Sequence, residues 1–370
     1  MEKSTPKYKE LANWIVEQIE TKNLCAGQKL YSENELSDMF GLSRQTVRHA
    51  ISVLEQDGVL NRVQGSGTYI NDTRPANQGK SNRIAVITTY VDGYIFPRTI
   101  QGIENALFEQ GYSVQIAFTN NLFDRERTIL EDILERNEVA GIISETVKSG
   151  LPNPNIDLYR EILRRRIPVL FINSFYRDLP IPHVSMNDRE AGKIAAQCLI
   201  RKGHKRIGGI FKLDDGQGHL RYAGAREALR EAGLGYKDVN IVWVDTEDVK
   251  HLDRCSVRIL ERIRGCTGIV TYNDEVAFSL MEIFKQSGIR VPEDISIVSI
   301  DDSELAVLGE VELTTVPYPM EKLGKKAVEV LTTMIKNPGF NGNYEFELYL
   351  TERDSVKDLR TEEKKQENGR

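Results

Sequence analysis

The chain is poor in cysteine: four in 370 residues, at positions 25, 198, 255 and 266, with no Cys-x-x-Cys pair among them. That excludes a disulfide scaffold or a zinc ribbon, and reduced structural cysteines are expected. Histidine is almost as scarce, five in all, and His183, His219 and His251 lack metal-ligand spacing, so no metal site is expected. No apolar run approaches the length that a bilayer-spanning helix needs, and the N-terminal residues are charged rather than signal-like. A cytoplasmic chain with no membrane partner is expected. Neither a phosphate-binding loop nor a nucleophile–base constellation occurs, which argues against an enzyme. An excess of positive charge is missing too, since the formal net charge is −6.

What is present begins at Ser32. Ser32 with Glu35 forms a capping box, Leu36, Met39 and Phe40 recur as an apolar stripe, and Gly41 supplies a left-handed stop. Ser43 caps a second helix whose buried face is Val47, Ala50, Ile51 and Leu54, and Gly58 ends it. Arg44, Gln45 and Arg48 are thereby turned outward at its N-terminal end. Two strand-like stretches follow, Leu60-Asn61-Arg62-Val63 and Thr68-Tyr69-Ile70, joined through Gln64-Gly65-Ser66-Gly67. Arg and Gln on the first turns of an outward helix can read base edges in a major groove, and a glycine tip allows close approach to a phosphate backbone.

Three of these motifs stand in the order of one family. Ser32-Glu33-Asn34-Glu35-Leu36, Ser43-Arg44-Gln45-Thr46-Val47-Arg48 and Gly65-Ser66-Gly67-Thr68 resemble the GntR class of winged helix-turn-helix repressors. The resemblance implies that Arg44, Gln45, Thr46 and Arg48 read or clamp DNA, with Glu33 in the same set. It also implies that Gln64 and Gly65 approach the minor groove. Lys7, just before the first helix of this segment, is a candidate phosphate contact. Tyr31 and Asn34 depart from the family, which usually has Pro and often Arg there. With local rather than bulk positive charge, non-specific DNA affinity should be modest and steeply salt-dependent.

Residues 1–71 therefore read as a DNA-binding domain, and the polar residues 72–82 as a flexible linker. From position 83 apolar runs alternate with amphipathic helices. Strands are expected over 84–88, 114–118, 141–144, 169–172, 183–185, 206–211, 241–244, 268–271 and 295–300. Helices are expected over 99–110, 126–136, 189–202, 222–232 and 275–287. Continuous apolar strands between helices imply parallel sheets covered on both faces, with ligands beyond the strands' carboxyl ends. The residues there are Tyr90, Phe96, Glu145, Asn173, Phe175, Lys212, Asp215, Gln217, Asn273 and Asp301. Aromatic rings stack on sugar faces while amides and carboxylates bond hydroxyls, so this inventory suits a neutral sugar. Lys212, Asp215 and Gln217 could equally serve a lid salt bridge, Glu145 and Lys148 a solvated pair, and Asp274 and Asp302 helix caps. His204 reads as a structural turn residue.

This second segment resembles the LacI/GalR repressor core, a relative of the periplasmic sugar-binding proteins. The carrying motifs are Arg201-Lys202-Gly203-His204-Lys205-Arg206-Ile207, Tyr272-Asn273-Asp274, Val291-Pro292-Glu293-Asp294-Ile295, Asp301-Asp302 and Leu313-Thr314-Thr315-Val316. The resemblance implies a two-lobed α/β core over 83–356 with three crossovers, near 173–178, 301–304 and 315–318. One lobe would take about 83–175 and 316–340, the other about 176–314 and 341–356. Arg221, before Tyr222-Ala223-Gly224, corresponds to the family's effector-binding arginine, Asn273 to its inter-lobe asparagine and Asp301 to its effector-contacting aspartate. Thr246 stands where many relatives have an aromatic, so stacking falls to Phe96, Tyr90 or Phe175. Joined to the GntR-type head, and with the runs Thr88-Thr89-Tyr90, Tyr94-Ile95-Phe96-Pro97, Phe211-Lys212, Asp214-Asp215, Gln217-Gly218 and Arg221, the chain short of residues 357–370 resembles the arabinose-operon repressors of Gram-positive bacteria. That implies a homodimer on palindromic double-stranded operator DNA, released by L-arabinose between the lobes, with no other cofactor. Residue chemistry alone leaves another sugar or small metabolite open. The charged residues 357–370 are expected to be a disordered tail.

Overall fold

The computed structural model describes residues 6–20, 23–25, 27–56, 59–63, 65–71, 81–91, 93–235 and 238–360. Gly58, Gln64 and residues 72–80 of the expected linker lie outside that set. The chain divides into two compact units, residues 1–80 and 81–370.

In the first unit, α1 (Lys7–Glu20) is followed by α2 (Glu33–Phe40), α3 (Arg44–Gln56) and a hairpin of β1 (Leu60–Val63) and β2 (Gly67–Ile70). Ser32 and Glu35 cap each other's backbone as the motif requires, and Gly41 closes α2 at φ 60°. Leu36, Val47, Ala50, Ile51 and Leu54 pack with Leu11 and Ile15 of α1 and with Leu60 and Ile70 of the hairpin. Met39 is a correction: expected in the apolar stripe, it is 53% exposed. Leu36 and Phe40, one turn apart, take the inward face of α2, and Phe40 sets its ring edge-on to Trp14. Lys7 is also placed differently, as the first residue of α1 rather than before it.

The second unit is built from two parallel sheets. Its elements run β3 (Arg83–Thr88), α4 (Phe96–Glu109), β4 (Ser113–Phe118), α5 (Phe123–Arg136), β5 (Gly141–Glu145), α6 (Ile156–Arg164), β6 (Val169–Ile172) and β7 (His183–Met186). Then come α7 (Asp188–Arg201), β8 (Ile207–Lys212), α8 (Gly216–Glu231), β9 (Ile241–Val244), α9 (Thr246–Lys250), α10 (Ser256–Arg262), β10 (Gly268–Thr271), α11 (Asp274–Gln286), β11 (Ser296–Asp301) and β12 (Thr314–Pro317). The chain returns through α12 (Met320–Lys336) and β13 (Tyr344–Phe346). One sheet has the order β13-β7-β6-β5-β3-β4, the other β12-β11-β10-β8-β9. Each is covered on both faces, which is why its central strands are continuous apolar runs such as Ile84-Ala85-Val86-Ile87, all buried.

The lobe boundaries differ from expectation. His183 and Val184 pair with Phe171 and Ile172, and Tyr344–Phe346 pairs with β7, so both short strands belong to the first lobe's sheet. The first crossover is therefore at the β7–α7 junction, not near 173–178. Residues 301–304 are not a crossover either, because β11 and β12 are neighbours in one sheet. The chain changes lobe between β12 and α12 and again after β13, where Thr351 bridges to Thr315. The helix expected from 222 begins at Gly216, which places Gln217 and Arg221 on α8. Nor is the tail free from 357: the Leu359 N–H donates to the Lys202 carbonyl, and the Lys357 carbonyl meets His204 Nε2 at 3.0 Å.

Helices α7 and α8 cross at two glycines. A Cβ on Gly192 would stand 1.9 Å from the Arg221 carbonyl oxygen, and one on Gly224 1.7 Å from that of Arg189. Backbone cannot yield there without parting the helices. Gly224→Ala should therefore lower the unfolding free energy by about 3 kcal/mol or more, read as a shift of the urea midpoint in the purified protein.

Candidate functional site

In the first unit the outward face of α3 carries Arg44, Gln45 and Arg48, all exposed, with Thr46 half-buried and its hydroxyl 2.8 Å from that of Ser43. Glu33 organises two arginines at once. Its carboxylate accepts from Arg48 Nε at 2.8 Å and from Arg62 Nη2 at 2.7 Å, tying the outward helix to the first strand of the hairpin. Ion pairs this exposed contribute little to stability, and what they fix is the direction of two guanidinium groups. Gly65 turns the hairpin at φ 77°, and Lys7 is exposed at the start of α1. Arg62, absent from the expected set, lies on β1 beside these residues and could have been found from the basic residue opposite Thr68 in the hairpin register.

In the second unit a cavity of about 270 Å³ lies between the two lobes, lined from both. Of the expected residues, Tyr90, Phe96, Glu145, Asn173, Lys212, Asp215, Gln217, Arg221, Asn273 and Asp301 all line it. Phe175 does not. It stacks on the His183 ring at 4.2 Å, packed on the first lobe's sheet, because the chain after β6 turns back toward β7. The aromatic walls come instead from Tyr90 and Phe96, edge-to-face at 5.6 Å, with Tyr94 and Tyr272 beside them.

Arg221 is the centre of the charged floor. It is 1% exposed; Nε donates to Asp188 Oδ1 at 2.8 Å, Nη1 to the Tyr272 carbonyl at 2.6 Å, and Nη2 to Asp301 Oδ1 at 3.3 Å. Burial alone would favour the neutral form of Arg221, but Asp301 and Asp188 outweigh it and hold the guanidinium charged. The carboxyls respond oppositely. Burial pushes Asp301 up to about 7, against the pull of Arg221, and Asp188 up to about 6 for the same reasons. Glu145 is fully engaged rather than solvated: it accepts from the Thr89 N–H at 2.7 Å, the Thr89 hydroxyl at 2.6 Å and the Asn173 amide at 2.7 Å. Burial raises its pKa and those hydrogen bonds oppose the rise. Lys212 forms the salt bridge considered for it, at 2.8 Å from Asp215. The Thr146 hydroxyl lines the cavity without a hydrogen-bond partner among the described residues.

Several side chains not expected from sequence tie the lobes together. The Tyr94 hydroxyl donates to the Asp301 carboxylate and accepts from the Asp274 N–H at 3.2 Å. Asn121, at the carboxyl end of β4, donates to the Thr246 hydroxyl at 2.8 Å, which in turn donates to Asp214. Inspecting the turn after β4 as closely as the others would have found Asn121. Asn273, not Asp274, caps α11, accepting from the Val276 N–H; Asp274 accepts from Ser303 and Thr315 instead. Asp302 is likewise no helix cap, its carboxylate accepting from Arg353.

Comparison with known proteins finds relatives of both units. Residues 7–70 match the bacterial regulatory protein gntR family and residues 196–356 the periplasmic binding protein-like domain. The arabinose metabolism transcriptional repressor of Geobacillus stearothermophilus is 36% identical over 364 residues, 97% of this chain and 100% of the relative. That of Halalkalibacterium halodurans is 38% identical over 334 residues, 88% of this chain and 89% of its own length. Among solved structures, the transcription regulator CcpA of Lactococcus lactis superposes with a TM-score of 0.68 at 25% identity, over 75% of this chain and all of that one. A winged head joined to a two-lobed binding core defines the class: DNA-binding transcriptional repressors, not enzymes. Within it, the chain belongs to the family of the arabinose metabolism transcriptional repressors. No described helix is long and apolar enough to cross a membrane.

The raised carboxyl of Asp301 has a consequence for stability. An aspartate ordinarily near 3.8 that titrates near 7 when folded binds its proton more tightly in the folded state. Its contribution is therefore present at low pH and is lost as pH rises from about 4 to about 7. Asp301→Asn should melt progressively higher relative to the parent as pH is raised from 5 to 8, as followed by differential scanning calorimetry.

Proposed function

We propose that this repressor binds L-arabinose in the inter-lobe cavity and that the bound sugar releases it from operator DNA. The observation that carries the reading is the composition of the cavity. Aromatic rings of Tyr90, Phe96 and Tyr272 stand beside amides, hydroxyls and charged groups drawn from both lobes. Rings of this kind cover the apolar face of a pentose, while Arg221, Asn173, Asn273 and Thr146 offer donors and acceptors to its hydroxyls. The paired charges Lys212–Asp215 and Arg221–Asp188–Asp301 leave little unbalanced positive charge, which disfavours a phosphorylated effector. The relatives' names supply the particular sugar.

Release follows from linkage. A sugar that touches both lobes favours one lobe arrangement, and a difference of a few kcal/mol between arrangements changes operator affinity on the order of a hundredfold. On the DNA side, Arg44, Gln45 and Arg48 face the major groove, with Lys7 and Gly65 of the hairpin at the backbone and minor groove. We infer a homodimer that places one head on each half of a palindrome, acting in the cytoplasm where the operator is.

The two modules should separate by substitution. Arg44→Ala should reduce operator affinity by about a hundredfold or more while leaving the sugar titration unchanged. Tyr90→Ala should weaken sugar binding by about tenfold while operator affinity stays at the parent value. The measurement is fluorescence anisotropy of labelled upstream DNA, titrated with L-arabinose, D-xylose, D-galactose and D-ribose. Release by L-arabinose supports the reading. Release by another of the four would keep the mechanism and replace the sugar, and indifference to all four would sink the sugar assignment.

A further inference from the structure

Two consecutive non-glycine residues at the end of β11 have positive φ: Asp301 at 115° and Asp302 at 51°. The first of these lies far outside the conformations that an L-residue ordinarily adopts, and such strain persists only where surroundings enforce it. It coincides with the side chain on which the cleft depends, since Asp301 meets Arg221 from its own lobe and Tyr94 from the other.

What enforces the turn lies on its far side. Arg353, beyond β13 on the C-terminal return, donates from Nη2 to Asp302 Oδ1 at 2.6 Å and from Nη1 to the Leu313 carbonyl at 2.8 Å. The Asp302 N–H donates to the Thr315 hydroxyl at 3.2 Å, and that hydroxyl donates to Asp274 Oδ1 at 3.0 Å. The Arg353 backbone is itself fastened, its N–H donating to the Thr314 hydroxyl at 2.9 Å. The Arg353 side chain is 18% exposed and that of Asp302 25%, so this is a half-buried charge pair with fixed geometry rather than a surface ion pair.

We propose that Arg353 is a positioning residue for the effector cleft: by clamping Asp302 it holds the strained turn that aims the Asp301 carboxylate at Arg221 and Tyr94. Arg353 does not line the cavity and acts only through the turn. The proposal rests on the reading of the cleft as a sugar site, and its test is built so that the two can fail separately.

Sugar affinity is measured by calorimetry with L-arabinose, alongside operator affinity and the melting midpoint, for the parent, Arg353→Met, Arg353→Lys and Asp302→Ala. Arg353→Met and Asp302→Ala should each weaken sugar binding by about tenfold, with operator affinity within about twofold of the parent. Arg353→Lys keeps the charge but not the second N–H, and should recover part of the loss. A purely structural arginine would instead lower melting and both affinities together. Sugar affinities equal to the parent's in folded Arg353→Met and Asp302→Ala would overturn the proposal. If Arg353→Met does not fold, Asp302→Ala decides, since its side chain is partly exposed and the guanidinium it leaves behind keeps the Leu313 carbonyl at 2.8 Å and Glu312 at 3.7 Å.

A second measurement needs no sugar. The carboxyl of Asp301, followed by carbon NMR and assigned with Asp301→Asn, is faced by Asp188, Arg221, Tyr272, Asp274, Tyr94 and Tyr318. With the clamp intact its midpoint should lie near 7; in Arg353→Met and Asp302→Ala it should fall toward the ordinary aspartate range as the carboxyl swings out to water. An unmoved midpoint would overturn the clamp even if the parent bound no sugar at all, whereas a moved midpoint with no sugar binding would overturn the sugar reading alone.

Discussion

Arg221 is withdrawn almost completely from water, and a guanidinium cannot shed its charge to suit that environment. It must be met by carboxylates, and the fold supplies two: Asp188 from the first turn of α7 and Asp301 from the end of β11. With two carboxylates for one cation, loss of Arg221 would leave two buried anions without a partner, whereas loss of one aspartate leaves the other in place. The close crossing of α7 and α8 at Gly192 and Gly224 puts Asp188 within reach. The strained turn at 301–302 does the same for Asp301. Tyr94 then carries the arrangement across to the first lobe through its bond to Asp301. Much of the second unit can be understood as the scaffold that this one cation requires.

The same logic explains why the cleft suits a neutral polyol. Its charges are nearly all committed to each other, Lys212 to Asp215 and Arg221 to its two aspartates. What remains for a ligand is hydrogen-bonding capacity and aromatic surface, in a site that both lobes must close. In the first unit the design is different. Arg44 and Gln45 are exposed, and Glu33 sets Arg48 and Arg62 in one direction.

Much of this was legible in the residues, for physical reasons that also mark where legibility ended. The capping box at Ser32, the stop at Gly41 and the buried face of α3 are local signals, each decided within a few residues, and each is present in the structure. Runs such as Ile84-Ala85-Val86-Ile87 announce strands covered on both faces. The lobe boundaries were not legible, because a four-residue strand such as His183–Met186 carries no mark of the sheet it will join. Its allegiance is set by pairing with β6. The cleft residues were found where the strand-end rule was applied. Asn121, after β4, obeys the same rule, whereas Phe175 departs from it because its ring stacks on His183. Arg353 lies 51 residues from Asp302, and no local pattern points from one to the other.

If sugar in the cleft and DNA on the head are coupled through one chain, that coupling is reciprocal. The direct measurement is L-arabinose affinity by calorimetry, once with the free protein and once with the protein saturated by its operator duplex. The account predicts weaker sugar binding in the presence of DNA, by the same factor by which sugar weakens DNA binding. Identical sugar affinities in the two titrations would show that the cleft and the head are independent, and would contradict it.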